Sequence, residues 1–232
     1  MKTYLTCFAV AAVAGSVQLL SAAEVSGKVK LSGTPPPEKT IEMDATCGKA
    51  HTKPVTTRHY VTGADSGLAN VFVYIKEGAA KAPASGETQI LDQSGCMYEP
   101  YVMGVVTDQK FKIRNSDALL HNVHAMPKLN KEFNFAQPLK GQITEKSFDK
   151  PEVLVKVKCD VHQWMFAYVG VVDHPYFAVT DKDGSFKIPN LPAGKYTVEA
   201  YHLKAGAKTQ EITVGGDDKK TVDFTLAVPA AQ

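Results

Sequence analysis

The chain has 232 residues, which is enough for one large domain or two small ones. Its 26 basic residues nearly balance 24 acidic ones, and the sequence contains no long basic run, so charge gives no support to a nucleic-acid partner. The hydrophobic fraction of 44% is ordinary for a globular protein that folds in water.

The N-terminal residues differ in kind from the rest of the chain. Lys2 precedes an uncharged, mostly apolar stretch over residues 7–17, and residues 21–23 are small. This pattern predicts a signal peptide over residues 1–23, with cleavage before Glu24. The apolar stretch is too short to span a bilayer, and no later segment is long and apolar enough. We therefore expect an exported protein, periplasmic or at the cell surface, with no transmembrane segment in its mature form.

Strand patterns dominate the remaining sequence. Residues 25–31 and 110–114 alternate between apolar and polar side chains, whereas residues 68–75 and 166–172 are nearly continuous apolar runs. Clusters of Gly, Pro, Asn and Asp separate these runs, and helical periodicity is weak. Many short strands with regular turns predict an all-β fold, either a sandwich or a barrel.

A domain boundary is expected near residues 174–175. Beyond it, residues 181–184 look like a calcium-binding loop, but the oxygen ligands are incomplete at the required spacing, so a hairpin turn is favoured there. Further strand patterns follow at residues 195–202, 210–214 and 221–226. A segment of about fifty residues is small for an independent core, so we expect it to pack on the first domain.

The clearest chemical motif covers residues 159–165, between two apolar strands. It places Cys159, His162 and Met165 within seven residues. A blue-copper centre uses two histidine nitrogens and a cysteine sulfur in a plane, with a weak axial methionine. Sulfur ligands suit Cu(I), and imidazole also suits Cu(II). Three of the four ligands of such a centre are therefore present in one loop.

The fourth ligand must come from another strand, because one short loop cannot surround a metal ion. His121 and His124 follow the strand predicted over residues 110–114. If this segment is extended, side chains three positions apart point to opposite faces. Only one of the two imidazoles can therefore face Cys159.

These motifs resemble those of the cupredoxins, and among them the amicyanins most closely. Amicyanins carry Pro-His-Asn-Val-His and Cys-x-x-His-x-x-Met motifs, which residues 121–124 and 159–165 match, with Leu120 at the position of the proline. The resemblance implies one type 1 copper per chain, with the ligands His121, Cys159, His162 and Met165. It also implies that Asn122 ties the two ligand loops together and supports the cysteine sulfur, and that His124 is not a ligand.

The resemblance also implies a domain organisation. It covers roughly residues 68–172 and implies a Greek-key β-sandwich that binds copper over residues 68–174, preceded by an N-terminal β extension over residues 24–67. Residues 175–228 resemble a small carboxypeptidase-regulatory-like (transthyretin-like) β-sandwich, through the motifs Asp-Gly-Ser-Phe and Leu-Pro-Ala-Gly-Lys-Tyr. That second resemblance implies packing or adhesion rather than a reaction. Residues 229–232 form a tail.

The cysteine count is odd once the signal peptide is removed. Cys47, Cys96 and Cys159 remain, so either two of them pair and the third has another role, or one pairs between chains. With Cys159 taken as a copper ligand, we expect a disulfide between Cys47 and Cys96. The loop that it would close contributes about 4 kcal/mol in the chain-entropy model.

Other interpretations of the same residues are open. A structural zinc site would need a second Cys/His pair, for which Cys47 and His51 are the candidates. Met165 could be a core methionine beside Trp164. No histidine flanks Cys159 to pass electrons to further copper ions, and no hydrolase or nucleotide-binding motif occurs. We therefore expect an electron-transfer protein and no enzyme.

The expected function is one-electron transfer between redox partner proteins that bind transiently. The resemblance implies that His162 reaches the surface through an apolar patch, to which Trp164 and Phe166 are suited. Redox contacts of this kind are small and short-lived, so no large exposed patch is required. We also expect a monomer. The alternative is a surface module that binds carbohydrate or protein, with copper structural or absent. Copper storage or delivery is a third possibility.

Overall fold

The computed structural model describes residues 22–230, and its regular structure is almost entirely β, as the sequence predicts. A single helical turn of four residues, α1 (Ala45–Gly48), and a short 3-10 turn interrupt the strands within the described residues. The first strands are β1 (Ala23–Ser32), β2 (Phe72–Glu77), β3 (Ile90–Ser94), β4 (Met97–Glu99), β5 (Val102–Val106), β6 (Phe111–Asn115), β7 (His121–Met126) and β8 (Phe133–Gln137). The later strands are β9 (Ile143–Lys146), β10 (Glu152–Lys158), β11 (Phe166–Val172), β12 (Phe177–Val179), β13 (Ser185–Leu191), β14 (Gly194–His202), β15 (Gly206–Val214), β16 (Lys219–Thr221) and β17 (Phe224–Ala227).

Strands β3 to β11 form the first sandwich. One sheet has the order β5-β11-β10-β7-β8 and the other the order β4-β3-β6-β9. Their inner faces share one apolar core that includes Phe111, Val123 and Val169. Lys158, at the end of β10, pairs with His124 of β7 and also with the first residue of β11. The start of β7 and the loop between β10 and β11 therefore meet at the same end of the sandwich.

The remaining strands form the second sandwich. One sheet has the order β13-β1-β16, with β17 also paired to β1, and the other has the order β12-β2-β14-β15. Strand β1 pairs antiparallel with β13 and parallel with β16 and β17. Apolar side chains of both sheets form a second core, which includes Val25, Val73, Ile188, Val198 and Leu226.

This strand pairing differs from the division expected from the sequence. Strand β1, expected in an N-terminal extension over residues 24–67, lies inside the second sandwich. Strand β2, expected in the copper domain over residues 68–174, pairs with β14 and β12 of the second sandwich. The reason is physical: the alternating pattern of β1 and the continuous apolar run of β2 indicate how many faces of each strand are buried, but not which sheet the strand joins.

The two sandwiches pack on each other through aromatic side chains, in agreement with the small size of the C-terminal segment. Phe72 of β2 belongs to the same apolar cluster as Tyr101 and Tyr168 of the first sandwich. Glycine is required in this contact, because a Cβ at Gly170 would lie 2.5 Å from the Phe72 ring. Any larger residue at position 170 would separate the two sandwiches locally.

The described part of the chain begins beside the predicted cleavage site. Residues 1–21 of the predicted signal peptide lie outside the described residues. Ala23, the last residue of that predicted peptide, is buried at the start of β1 and pairs with Leu191. Between residues 22 and 230, the structure holds no helix with the length and apolar character that a membrane crossing requires.

A buried histidine lies at the end of β14. His202 is 2% exposed, and its ring packs against Tyr60 in a tilted arrangement, with the centroids 5.6 Å apart and an interplanar angle of 34°. Its Nδ1 accepts hydrogen bonds from the backbone amides of Lys204 and Ala205, at 3.3 and 3.1 Å. Burial lowers the pKa of His202 to about 4, although the carboxylate of Glu38 acts in the opposite direction. The folded protein therefore keeps this imidazole neutral.

This histidine makes the folded protein sensitive to acid. Between about pH 6.5 and pH 4 the unfolded chain binds a proton at His202 and the folded chain does not, so the free energy of unfolding falls as the pH falls, by about 3 kcal/mol in total. The stabilising contribution is complete above pH 6.5. Urea denaturation at pH 7 and pH 4.5 measures the loss, and His202→Gln should reduce it. An equal loss in wild type and variant would contradict the assignment.

Candidate metal centre

Three donor side chains meet at one end of the first sandwich. His121 is the first residue of β7, and Cys159 and His162 lie in the loop between β10 and β11. The Nδ1 atoms of the two histidines are 3.1 Å apart, and the Cys159 sulfur is 3.6 Å from the His162 Nδ1. The donor atoms of all three lie within 4.8 Å of one another, and all three side chains are buried. The structure thus brings together three of the four predicted ligands.

The donor set fits a single copper ion. Two imidazole nitrogens and one thiolate in a triangle are the ligands of a trigonal blue-copper site. Two metal–nitrogen bonds of about 2.0 Å that meet at about 100° place their nitrogens about 3.1 Å apart. The distance between the Nδ1 atoms of His121 and His162 is also 3.1 Å. The spacing of the imidazoles therefore suits a shared metal ion.

The surroundings of Cys159 favour its thiolate, which is the form that binds metals. Burial raises the pKa of the thiol, but hydrogen bonds from the His121 ring and from backbone amides outweigh burial and hold that pKa below its ordinary value. The amides of Asn122 and His162 each approach the sulfur at 3.4 Å. Burial and the neighbouring His121 lower the pKa of His162, so this ring is held neutral, as a metal ligand must be.

Asp117 orients the first histidine, a role that the local sequence does not indicate. Its carboxylate accepts a hydrogen bond from His121 Nε2 at 2.8 Å, and this fixes the ring so that Nδ1 is the nitrogen that faces the site. Burial lowers the pKa of His121, but the hydrogen bonds to Cys159 and Asp117 outweigh burial and raise it. The same carboxylate accepts hydrogen bonds from the backbone amides of Gly95 and Cys96, each at 2.8 Å. The available signal was an aspartate four residues before the first ligand.

Asn122 connects the two loops that carry the ligands. Its side-chain oxygen accepts a hydrogen bond of 3.1 Å from the backbone amide of Asp160, and this bond links the start of β7 to the Cys159 loop. Its own amide approaches the Cys159 sulfur. These contacts correspond to the role that the cupredoxin resemblance implies for this residue.

Met165 ends the short ligand loop. The loop is closed by a hydrogen bond from the Cys159 amide to the Met165 carbonyl and another from the Met165 amide to the His162 carbonyl, both at 2.9 Å. The side chain is fully buried and belongs to the apolar core of the first sandwich. A buried position suits both an axial thioether and a core methionine, so axial ligation stays a prediction.

His124 is not among the donors that converge. Its Nδ1 lies 2.9 Å from an Asp160 carboxylate oxygen, and its Nε2 lies 2.8 Å from Glu132. Both ring nitrogens are therefore engaged by carboxylates. The arrangement favours His121 over His124 as the first ligand.

The predicted disulfide between Cys47 and Cys96 is present. Its position beside the two histidines was not predicted. The sulfur atoms of Cys47 and Cys96 and a ring nitrogen of His162 lie within 4.8 Å of one another. Because Cys47 is part of the disulfide, it has no thiolate to offer, and His51 hydrogen-bonds the Gly95 carbonyl at 2.7 Å. The pair that a structural zinc site would need is therefore engaged elsewhere.

His162 differs from what the resemblance implies about its exposure. Its imidazole was expected to reach the surface through an apolar patch, but the residue is 8% exposed. Trp164 lies beside it, with the ring centroids 5.3 Å apart, and donates its indole hydrogen to the Cys96 carbonyl at 3.1 Å. The outer edge of the imidazole is thus closed by neighbouring side chains.

Comparison with known proteins gives one family match. The model of the carboxypeptidase regulatory-like domain matches residues 166–227, which is less than half of the chain. The matched range contains β11 of the first sandwich and strands β12 to β17 of the second. No curated protein matches the chain.

Several solved structures are similar to part of this chain. A Cu(I) form of an amicyanin variant is 21% identical, over 43% of this chain and 97% of its own, with a TM-score of 0.33. A purple cupredoxin from Nitrosopumilus maritimus is 23% identical, over 37% of this chain and 99% of its own, with a TM-score of 0.31. A copper-containing nitrite reductase from Thermus scotoductus is 18% identical, over 42% of this chain and 25% of its own, with a TM-score of 0.32. Likenesses at these values do not identify a function.

Proposed function

We propose that this protein is a type 1 copper protein of the cupredoxin kind that carries single electrons. One copper would be held by His121, Cys159 and His162, with Met165 as a weak axial ligand. The observation that supports this most strongly is the convergence of two Nδ1 atoms and one sulfur, 3.1 and 3.6 Å apart, in a buried site. Such a donor set is that of an electron-transfer site.

The residues of this chain would prepare the site before metal binds. Bound copper supplies a one-electron couple between Cu(I) and Cu(II). Asp117 holds the His121 ring in the tautomer that presents Nδ1, and Asn122 holds the two ligand loops at a fixed separation. Burial excludes water from the donors. A site held in this way changes little in geometry between oxidation states, which favours fast electron transfer.

We propose further that the protein is exported and works with transient redox partners. A disulfide is typical of oxidising compartments, which supports export. Residues 90–172, which form the first sandwich, would be the copper-binding unit. Strands β1, β2 and β12 to β17 would form a second unit that positions it.

Metal analysis and electron paramagnetic resonance of the oxidised protein test the proposal. We expect one copper per chain, an intense thiolate-to-copper band in the visible spectrum and the narrow copper hyperfine splitting of a type 1 site. A protein that stays colourless with copper would be a binding module and would contradict electron transfer. Several coppers per chain that chelators remove readily would indicate storage or delivery instead.

Substitution of Met165 tests the axial position. A thioether is a soft, weak donor that favours Cu(I), whereas an amide oxygen is harder and favours Cu(II). We therefore expect Met165→Gln to keep copper on the other three ligands and to lower the reduction potential. Voltammetry of both proteins measures the change. If the potential and the visible spectrum are both unchanged, Met165 is a core residue and not a ligand.

A further inference from the structure

A loop from the N-terminal part of the chain lies against the candidate metal centre. Residues 40–56, here called the cover loop, are closed at their base by an antiparallel bridge between Thr40 and Thr56. The helical turn α1 lies within this loop and carries Cys47, which is fully buried. Its disulfide partner Cys96 lies in the turn between β3 and β4. The cover loop is thus bonded covalently to the first sandwich.

The cover loop closes the outer edge of His162. The Nδ1 of this ring faces His121 and Cys159, so Nε2 is the outer nitrogen. A carboxylate oxygen of Asp44, in the cover loop, lies 3.8 Å from that Nε2. Together with the nearby disulfide, this explains why a ring on a short surface loop is 8% exposed.

The turn that carries Cys96 also reaches both imidazole ligands through other side chains. The Cys96 amide donates to Asp117, which in turn accepts the hydrogen of His121 Nε2. The Cys96 carbonyl accepts the indole hydrogen of Trp164, whose ring lies beside His162. One end of the disulfide is therefore linked to each of the two histidine ligands.

One further contact holds the cover loop in place. His51 Nε2 hydrogen-bonds the Gly95 carbonyl at 2.7 Å, directly beside the disulfide. Ile41 and Thr56, at the base of the loop, line a small cavity of ≈ 60 Å³ together with Trp164. The loop is therefore held by the Thr40–Thr56 bridge at its base and by the disulfide and His51 near its tip.

We propose that the disulfide and the cover loop have two roles at the metal centre. The positioning role is to hold both imidazoles in place. The covering role is to close the outer edge of His162 against solvent, reagents and direct contact with a partner protein. The positioning half rests on the proposed copper function. The covering half concerns access to Cys159 and does not require metal. A disulfide with a purely stabilising role would affect unfolding but neither the spectrum of the centre nor access to it.

The covering role is tested on the full-length protein without metal, by the rate at which iodoacetamide alkylates Cys159. In wild type, Cys47 and Cys96 are blocked by the disulfide, and Cys159 is 1% exposed. Peptide mapping by mass spectrometry follows Cys159 separately from Cys7, the fourth cysteine of the sequence. We expect Cys159 in the double variant Cys47→Ser/Cys96→Ser to react about tenfold faster or more. Without the disulfide, the cover loop can open locally and expose the thiol more often. Circular dichroism verifies that the variant is folded. Equal rates in the folded variant and wild type would overturn the covering role.

A second variant keeps the disulfide, in case the double variant does not fold. Asp44→Ala removes the carboxylate beside His162 and the side chain that accepts the amides of Thr46 and Cys47 at the start of α1. We expect a smaller but measurable acceleration of alkylation. Glu42→Gln, at an exposed position of the same loop, is the control and should react as wild type does. If Asp44→Ala also reacts as wild type does, the covering role is wrong.

The positioning role is tested on the copper-loaded protein. We expect the double variant to release copper to a chelator about 10–100-fold faster and to show a changed copper hyperfine splitting and visible spectrum, because both imidazoles lose a support. Lower stability with unchanged spectrum and release rate would overturn the positioning role. Failure of wild type to bind copper would instead overturn the proposed function, and the alkylation result would still decide the covering role.

Discussion

Cys159→Ser is expected to abolish the visible absorption band and to weaken copper binding severely. The thiolate is the soft ligand of the set and the source of the intense band, and a serine hydroxyl replaces neither property. The loss of affinity should exceed the roughly 10–100-fold that removal of an outer hydrogen-bond partner costs. Visible spectroscopy and copper titration against a competing chelator measure both effects.

The fold should survive this change, because Cys159 contributes little to the core apart from one small buried side chain. Circular dichroism should show the same β-structure as wild type. His124→Ala is the matched control, since both nitrogens of that ring are engaged by carboxylates and not by the site. A Cys159→Ser protein that stays blue would contradict the metal assignment, and loss of colour in His124→Ala would contradict the choice of His121.

Removal of the Asp117 carboxylate is expected to weaken both the fold and the site. Its side chain is 15% exposed and accepts three hydrogen bonds, from the His121 ring and from the amides of Gly95 and Cys96. Asp117→Ala leaves these donors without an acceptor, which should lower the free energy of unfolding by about 3 kcal/mol. Copper affinity should fall by about 10–100-fold, since the His121 ring loses its orienting partner.

Two controls separate these effects. Asp149→Ala removes an exposed carboxylate of the same sandwich and should change neither quantity. Asp117→Asn keeps one acceptor oxygen and should recover part of the stability. Urea denaturation of the metal-free protein and chelator competition of the loaded protein give the two numbers. An Asp117→Ala protein with wild-type stability and affinity would show that the carboxylate is not needed.

The sequence predicted the parts of the site that lie close together in the chain. Cys159 and His162 belong to one short loop between apolar strands, and the spacing alone limits how they can be arranged. The choice of His121 over His124 depended on the resemblance, and the structure places only His121 beside the sulfur. The disulfide followed from the cysteine count once Cys159 had a separate role.

Other features depended on contacts between distant residues. The pairing of β1 with the last strands joins Val29 to Phe224, and no local pattern contains that information. The Asp117 carboxylate lay in a segment that resembles any polar turn, and its role depends on where the Cys96 turn lies. The cover loop has few apolar residues and no regular pattern, so its position over His162 was not foreseeable.

The pairing of the N-terminal strand has a consequence for the order of folding. In chain order, the first sandwich is inserted between β2 and β12 of the second, and its own pairings are comparatively local. Strand β1 can complete its pairing only after β16 and β17 are synthesised, almost two hundred residues later. Because closure of long loops slows folding, the second sandwich should be completed last. A chain that ends prematurely before residue 219 would leave one edge of β1 unpaired and open to association with other chains.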